Sequence, residues 1–181
     1  MGKPLTSELV LLRSKCDGLF TVKNLNLWGN EIDDVKLLRQ MPNVEVLSLS
    51  LNKISSLKEF ANCSKLQELY LRKNSVFDLS EVKYLTNLQN LKILWLLDNP
   101  CSEVENYREI VIKILPNLNK LDNTVITLEE KNNAMKREIK FEEEEVPKSK
   151  GGMPLSEKRG GFNENFNFEV IFGLGLIILF F

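Results

Sequence analysis

The sequence contains no histidine, so it lacks the residue that most often serves as a general base and as a metal ligand. It also lacks a phosphate-cradling loop, because neither of its paired glycines, at 151–152 and 160–161, belongs to a Gly-Lys-Ser/Thr motif. No stretch combines a nucleophile with a positioned base. These absences argue against an enzyme and predict no cofactor and no metal ion.

The charge balance and the spacing of the cysteines also give no sign of a nucleic-acid site or of a Cys-x-x-Cys site. The 24 Lys and Arg residues against 25 Asp and Glu residues leave a formal net charge of -1, which argues against nucleic acid as a partner. Cys16, Cys63 and Cys101 are widely spaced and include no Cys-x-x-Cys pair, so we interpret them as small core residues. The first residues lack the apolar stretch of a signal peptide, although Gly2 and Thr6 fit a loose acylation pattern.

The sequence does contain a repeated pattern of leucine and asparagine. The pattern L-x-x-L-x-L-x-x-N occurs four times, with Val in place of the first Leu in two copies. The copies begin at Val22, Val44, Leu66 and Leu91, so their spacings are 22, 22 and 25 residues. Such spacings lie within the roughly 20–29 residues of leucine-rich repeats (LRRs). The sequence therefore predicts an α/β fold, a solenoid of short LRRs.

This spacing has a physical reason. The two leucines of L-x-L lie two residues apart on a short strand, so both point into the core and the residues between them face outward. The asparagine follows where the chain turns away from the strand, and its amide can bond backbone groups that the turn would otherwise leave unpaired. We therefore expect a buried structural ladder formed by Asn30, Asn52, Asn74 and Asn99.

A stacked array needs a cap at each end, because its core would otherwise face water. Apolar residues spaced among polar ones from Leu5 to Lys15 predict a capping helix within residues 1–19. Four repeats occupy residues 20–102. In residues 103–126, Tyr107 to Leu115 has helical spacing and Pro116 ends the helix. This region resembles the C-terminal cap of short LRRs of the phosphatase-regulator type.

Three further segments follow the cap. Thr127 and Glu130 form a capping-box pattern, which predicts a polar, acidic helix over residues 127–146. Residues 147–169 show little periodicity, and we predict a disordered linker. Residues 170–181 are almost wholly apolar but are shorter than the about twenty residues that span a bilayer. A membrane anchor, a plug that binds a partner and an unnatural terminus stay open, and we favour the last.

The outward strand positions of the four repeats predict one binding surface, which we call the concave face. Its three columns are Asn24, Val46, Glu68 and Ile93; Asn26, Ser48, Tyr70 and Trp95; and Trp28, Ser50, Arg72 and Leu97. Trp, Tyr and Arg are enriched in binding hot spots, and contiguous exposed apolar groups mark interaction sites. We therefore predict that a protein partner contacts Trp28, Tyr70, Arg72, Ile93, Trp95 and Leu97. The same side chains could also pack from strand to strand, which is compatible with binding.

Several motifs together resemble a family of ciliary LRR proteins. They are Asn26 to Gly29, Met41 to Leu47, Leu69 to Asn74, Leu94 to Leu96, Asp98 to Cys101, Tyr107-Arg108 and Leu115 to Asn123. The resemblance covers about residues 5 to 140. It implies a non-enzymatic adaptor at the basal body and the base of the axoneme that supports cilium assembly, cell shape and cytoskeletal organisation. It also implies association with a NIMA-related kinase through a C-terminal helical segment, which has no evident counterpart after Lys150.

The leading hypothesis is therefore a protein-binding scaffold of the cilium or flagellum, located at the basal body in the cytoplasm and cytoskeleton. An alternative keeps the fold and changes the role, since short LRRs with this cap also include a regulatory subunit of a protein phosphatase and a spliceosomal component of the nucleus. A membrane-tethered protein is a third class that rests only on Gly2 and the apolar tail, and we do not expect it.

Overall fold

Short strands alternate with short helices in residues 2–136, which are the residues that the computed structural model describes. The strands are β1 (Lys3–Pro4), β2 (Asn24–Asn26), β3 (Ile32–Asp34), β4 (Val46–Ser48), β5 (Glu68–Tyr70), β6 (Ile93–Trp95), β7 (Lys120–Leu121) and β8 (Thr124–Val125). The α-helices are α1 (Ser7–Ser14), α2 (Tyr107–Ile114) and α3 (Leu128–Lys136). The predicted helix beyond Lys136, the linker at 147–169 and the tail at 170–181 lie outside the described residues.

The repeats form one sheet in the order β2-β4-β5-β6-β7-β8. The pairs from β2 to β7 are parallel, and β8 returns antiparallel to β7. The register aligns the middle leucines of the repeats with one another, and the row consists of Leu25, Leu47, Leu69, Leu94 and Leu121. All five are buried. The fold is thus the predicted α/β solenoid of leucine-rich repeats.

Short 3₁₀ helices form the other layer of the solenoid. They span Lys36–Gln40, Lys58–Asn62, Leu79–Leu85 and Pro100–Glu103. Each contributes a fully buried apolar side chain to the core; these include Leu38, Phe60, Val82 and Cys101. A repeat of about 22 residues leaves little room for a longer helix after its strand and turn. Cys63 and Cys101 are buried and Cys16 is half-buried, and all three are free thiols.

Three of the four asparagines form a buried ladder between consecutive repeats. Asn52 Nδ2 donates to Leu27 O of the preceding repeat at 3.0 Å and to Leu49 O of its own repeat at 2.8 Å. Asn74 bonds Leu49 O and Leu71 O in the same way, and Asn99 bonds Leu71 O and Leu96 O. Each side-chain oxygen accepts a backbone N–H of the preceding repeat, from Ile32, Ile54 and Val76 respectively. Each rung therefore ties two repeats together.

Asn30 departs from the expected buried ladder. Its side chain is half-buried, and its Nδ2 donates to Trp28 O at 2.9 Å, within its own repeat. The reason is its place at the start of the array, because no repeat precedes it to offer a second strand carbonyl. Asn30 instead donates its backbone N–H to Asn52 Oδ1 at 3.2 Å.

The residue before each of the four repeat asparagines, including Asn30, has a left-handed backbone conformation. The four residues are Gly29, Leu51, Lys73 and Asp98, with φ between 55° and 69°. This conformation bends the chain so that the following asparagine points inward. Only glycine adopts it without steric cost, so Leu51 carries a local strain on the order of 1 kcal/mol.

The N-terminal cap differs from the predicted helix over Leu5 to Lys15. The helix is shorter, because Thr6 caps α1 by accepting a hydrogen bond from Leu9 N at 3.3 Å, and Lys15 ends it in a left-handed conformation. The residues before it form β1, which pairs in parallel with β3 of the first repeat. The strand pair and α1 together cover the first repeat at the start of the solenoid.

At the other end, Asp122 occupies the turn after β7. Its Oδ1 accepts hydrogen bonds from Leu96 N at 2.8 Å and Leu97 N at 2.9 Å. Its Oδ2 accepts from the buried Tyr107 hydroxyl of α2 at 3.1 Å. Burial, together with the negative charge of Asp122, raises the pKa of Tyr107, so the phenol stays a hydrogen-bond donor. The cap helix is thereby joined to the last repeat.

Arg108 of α2 holds α3 against the cap. Its Nε donates to Glu130 Oε1 at 2.6 Å, and its Nη2 donates to Val125 O at 3.1 Å. The expected capping box is also present, since Glu130 N donates to Thr127 Oγ1 and Thr127 N donates to Glu130 Oε2. Hydrogen bonds from Arg108 and then from the Thr127 backbone lower the pKa of Glu130 to about 2.

The ladder generates a first prediction. Asn74→Ala leaves Ile54 N without an acceptor and removes one hydrogen bond each from Leu49 O and Leu71 O. We expect the free energy of unfolding to fall by about 3 kcal/mol, since an orphaned buried donor costs ~1–3 kcal/mol and each lost bond about 1 kcal/mol. Urea denaturation measures the change. The matched control is Asn30→Ala, which should cost only about 1 kcal/mol, and equal losses for the two variants would contradict the ladder.

The Arg108–Glu130 contact predicts a dependence of stability on pH. Because the pKa of Glu130 is lowered from 4.5 to about 2, its contribution is fully present above pH 4.5 and is lost as pH falls toward 2. Glu130→Gln should lower the free energy of unfolding at neutral pH by about 1 kcal/mol, a value reduced for solvent screening of a partly exposed pair. The gap between wild type and variant should close at low pH. Glu129→Gln, at the exposed neighbouring position, is the control, and a gap that persists unchanged at low pH would contradict the assignment.

Candidate functional site

Alternation along the strands places the predicted binding residues on the side of the sheet opposite the core. In β2, Leu25 is buried while Asn24 and Asn26 on either side are exposed. The same order holds in β4, β5 and β6, where the central leucine is buried and its neighbours are half-buried. The concave face is therefore one continuous surface across the four repeats.

The six predicted contact residues differ in exposure. Trp28 is 62% exposed and Leu97 is 42% exposed, which is high for large apolar side chains. Arg72 is also exposed. Tyr70, Ile93 and Trp95 are half-buried. All six lie on one side of the sheet, although Trp28 belongs to the first repeat and the other five belong to the third and fourth.

Tyr70 and Trp95 pack against each other on neighbouring strands. Their ring centroids are 5.5 Å apart and their planes meet at 71°, an edge-to-face arrangement. The Tyr70 hydroxyl donates to Glu68 Oε2 at 2.5 Å. Burial, reinforced by that carboxylate, raises the pKa of Tyr70 to about 12. Strand-to-strand packing therefore holds both rings in place while part of each still faces outward.

Arg72 is held by one side of its guanidinium group. Its Nε donates to Asp98 Oδ2 at 2.8 Å. Within residues 2–136, the two terminal nitrogens of Arg72 make no hydrogen bond. The contact with Asp98 therefore orients the guanidinium group and leaves its outer edge able to bind an acceptor.

Two residues of this surface, Asp98 and Lys120, were missed from the sequence, and Glu68 of the first column was not predicted as a contact residue. Glu68 and Asp98 orient Tyr70 and Arg72, and Lys120 of the cap places its ammonium 6.0 Å from the centroid of the Trp95 ring. Lys120 pairs in register with Ile93, so β7 extends the first column of the concave face. The signal was present, because Leu118 and Leu121 repeat the L-x-x-L spacing of the strands.

Residues 2–136 contain no group of three or more side chains placed to hold a metal ion. Burial raises the pKa of the Cys63 thiol to about 12 and that of Cys101 to about 11. Among these residues no helix is both long and apolar enough to cross a membrane.

Comparison with known proteins shows the family to which the chain belongs. Residues 17–149 match the leucine-rich-repeat family, and the chain belongs to that family. The chain is also similar to cilia- and flagella-associated protein 410 from Homo sapiens and from Mus musculus, with 43% identity over 133 residues in both cases. The match covers 72% of this chain and 52% of the human or 53% of the mouse protein. The chain thus spans about half the length of these relatives.

A solved structure shows a similar fold. The chain is similar to a chain of the Drosophila melanogaster SNF/U2A' complex, with a TM-score of 0.57 and 25% sequence identity. The match covers 74% of this chain and 91% of that chain. A chain that consists almost wholly of the matched fold therefore occurs within a complex.

The exposure of the concave face predicts a difference between the two tryptophans. They are the only tryptophans in the chain, and both lie on this face, so selectively excited tryptophan fluorescence reports on it alone. Trp28→Phe should remove the longer-wavelength emission and most of the quenching by acrylamide, because Trp28 is the more exposed ring. Trp95→Phe should leave both the longer-wavelength emission and the quenching by acrylamide. Emission spectra and quenching of the two variants check this, and equal quenching would place the rings in similar surroundings, contrary to the structure.

Proposed function

We propose that this protein is a non-enzymatic adaptor that binds another protein through its concave face. The observation that carries the proposal is the set of large side chains on that face, with Trp28 and Leu97 exposed and Tyr70 and Trp95 held by packing. Tryptophan, tyrosine and arginine dominate hot spots, and the two aromatic residues bury a large area at a small cost in conformational entropy. The edge-to-face pair is fixed before binding, which further reduces that cost.

The proposed setting is the cilium or flagellum. Its support is the similarity to cilia- and flagella-associated protein 410 of two mammals, which extends over most of the solenoid. We propose that the protein acts in cilium assembly, at the basal body and in the organisation of the cytoskeleton. A contact with a NIMA-related kinase, which the family resemblance implies, stays a prediction.

A second candidate is a nuclear adaptor in a spliceosomal complex. Its support is the similarity to a chain of the SNF/U2A' complex, and the match covers 91% of that chain. The two candidates share the fold and the binding face and differ in the partner and in the compartment.

The test compares two pairs of alanine substitutions in the full-length, fluorescently tagged protein in a ciliated cell. Trp28→Ala with Leu97→Ala removes the exposed apolar side chains of the concave face. We expect loss of the basal-body signal and a reduction in partner affinity of at least about 30-fold, the scale of a hot-spot loss of ~2 kcal/mol. Localisation and quantitative co-precipitation measure the two effects.

The matched control is Phe77→Ala with Tyr84→Ala, which removes exposed side chains outside the concave face. Both double variants should keep the free energy of unfolding within about 1 kcal/mol of wild type, because exposed substitutions cost little. Full affinity of the concave-face variant, or equal losses in the two variants, would rule out this face. A nuclear signal with bound small nuclear RNA would select the spliceosomal candidate.

A further inference from the structure

The carboxylates on and beside the concave face already hold partners within the chain. Glu45 lies 3.1 Å from Lys23 Nζ, and Glu68 accepts the Tyr70 hydroxyl. Asp98 accepts Arg72 Nε, and Asp122 accepts two backbone amides and the Tyr107 hydroxyl. Lys23 and Arg72 offset the charges of Glu45 and Asp98, and the hydrogen bonds use part of the acceptor capacity of Glu68 and Asp122.

The cations of the same region are less engaged. Lys73 and Lys120 form no ion pair with residues 2–136, and Lys120 approaches only the face of the Trp95 ring. Arg72 uses its Nε and keeps its terminal nitrogens available. Within the described residues, the Lys92 side chain donates from Nζ to one backbone oxygen, that of Asn117, at 3.4 Å. The third repeat, the fourth repeat and the cap thus present lysines without a carboxylate partner among residues 2–136, together with the unbonded terminal nitrogens of Arg72.

The exposed apolar side chains lie on both sides of Arg72. In the third column the order across the sheet is Trp28, Ser50, Arg72 and Leu97. Because neighbouring strands are about 4.8 Å apart, Leu97 lies about 5 Å from Arg72 and Trp28 about 10 Å from it on the other side. Small uncharged residues fill the other outward positions of the first two repeats; they are Asn24, Asn26, Val46, Ser48 and Ser50.

From this arrangement we infer that the concave face binds an acidic peptide segment that carries apolar side chains on both sides of a carboxylate. That carboxylate meets Arg72 and the adjacent Lys73, between Trp28 on one side and Leu97 with Trp95 on the other, and a further carboxylate meets Lys120 on β7, beyond Trp95. This inference rests on the proposed function and specifies the chemistry of its partner. Charge complementarity of this kind gives an interface its specificity and its sensitivity to salt.

The test uses the full 181-residue chain and three synthetic peptides of equal length. The peptides share one pattern of leucines and differ only in carrying aspartate, asparagine or lysine between them. Tryptophan fluorescence follows each titration, because both tryptophans of the chain lie on the concave face. We expect the aspartate peptide to bind about tenfold more tightly than the asparagine peptide, the lysine peptide to bind most weakly, and the preference to shrink as salt is added.

Charge reversal localises the effect. Lys73→Glu with Lys120→Glu should weaken binding of the aspartate peptide at least about tenfold. The matched control is Lys58→Glu with Lys65→Glu, which makes the same change in net charge at exposed lysines outside the concave face, and it should change the affinity less than about twofold. Binding of the asparagine peptide should be nearly the same in both variants.

The outcomes separate this inference from the proposed function. Failure of the aspartate peptide to bind, equal affinity for the lysine peptide, or equal losses in the two reversal variants would overturn the acidic partner. Displacement of the aspartate peptide by an RNA oligonucleotide at lower concentration would also overturn it. If Trp28→Ala with Leu97→Ala still weakened the binding of all three peptides, the concave face would remain a binding surface. If that variant weakened the binding of none of them, the proposed function would fail as well.

Discussion

The turn after each strand contains backbone groups that no neighbouring backbone group can satisfy, and the rest of the fold depends on how they are bonded. The buried amides of Asn52, Asn74 and Asn99 provide those bonds, each to its own repeat and to the one before it. A fully bonded buried amide stabilises a core, whereas one that lacks a partner destabilises it. The asparagines therefore join consecutive repeats, and together with the parallel strand pairing they align the rows of buried leucine.

The binding surface is a consequence of the same stacking. Because the leucines must point inward, the residues between them face outward and can vary without disturbing the core. Apart from Trp28, the first two repeats use that freedom for small uncharged side chains, and the third and fourth use it for Tyr70, Arg72, Trp95 and Leu97. Asp98 and Glu68 then orient two of these side chains. The caps complete the solenoid, and the C-terminal cap adds Lys120 beside the Trp95 ring.

The repeats could be predicted from the sequence because their signal is periodic, and each copy reinforces the others. Features without a period could not be predicted in this way. A two-residue strand such as β1 has no pattern of its own, and its pairing with β3 depends on the fold of the first repeat. The contacts of Arg72 with Asp98 and of Tyr70 with Glu68 depend on side-chain rotamers that a sequence pattern does not specify. Asn30 could have been recognised as different, since a first rung has no preceding repeat to bond.

The central claim is that the partner lies on the concave face, and site-specific photo-crosslinking tests it most directly. A photoreactive amino acid replaces Ser50, between Trp28 and Arg72 on the concave face, or Phe77, which is exposed outside it. The tagged full-length protein is then irradiated in ciliated cells. The account predicts a discrete crosslinked protein from position 50 that disappears when Trp28→Ala is added, and no such product from position 77. The same product from position 77, or a product from position 50 that survives Trp28→Ala, would contradict it.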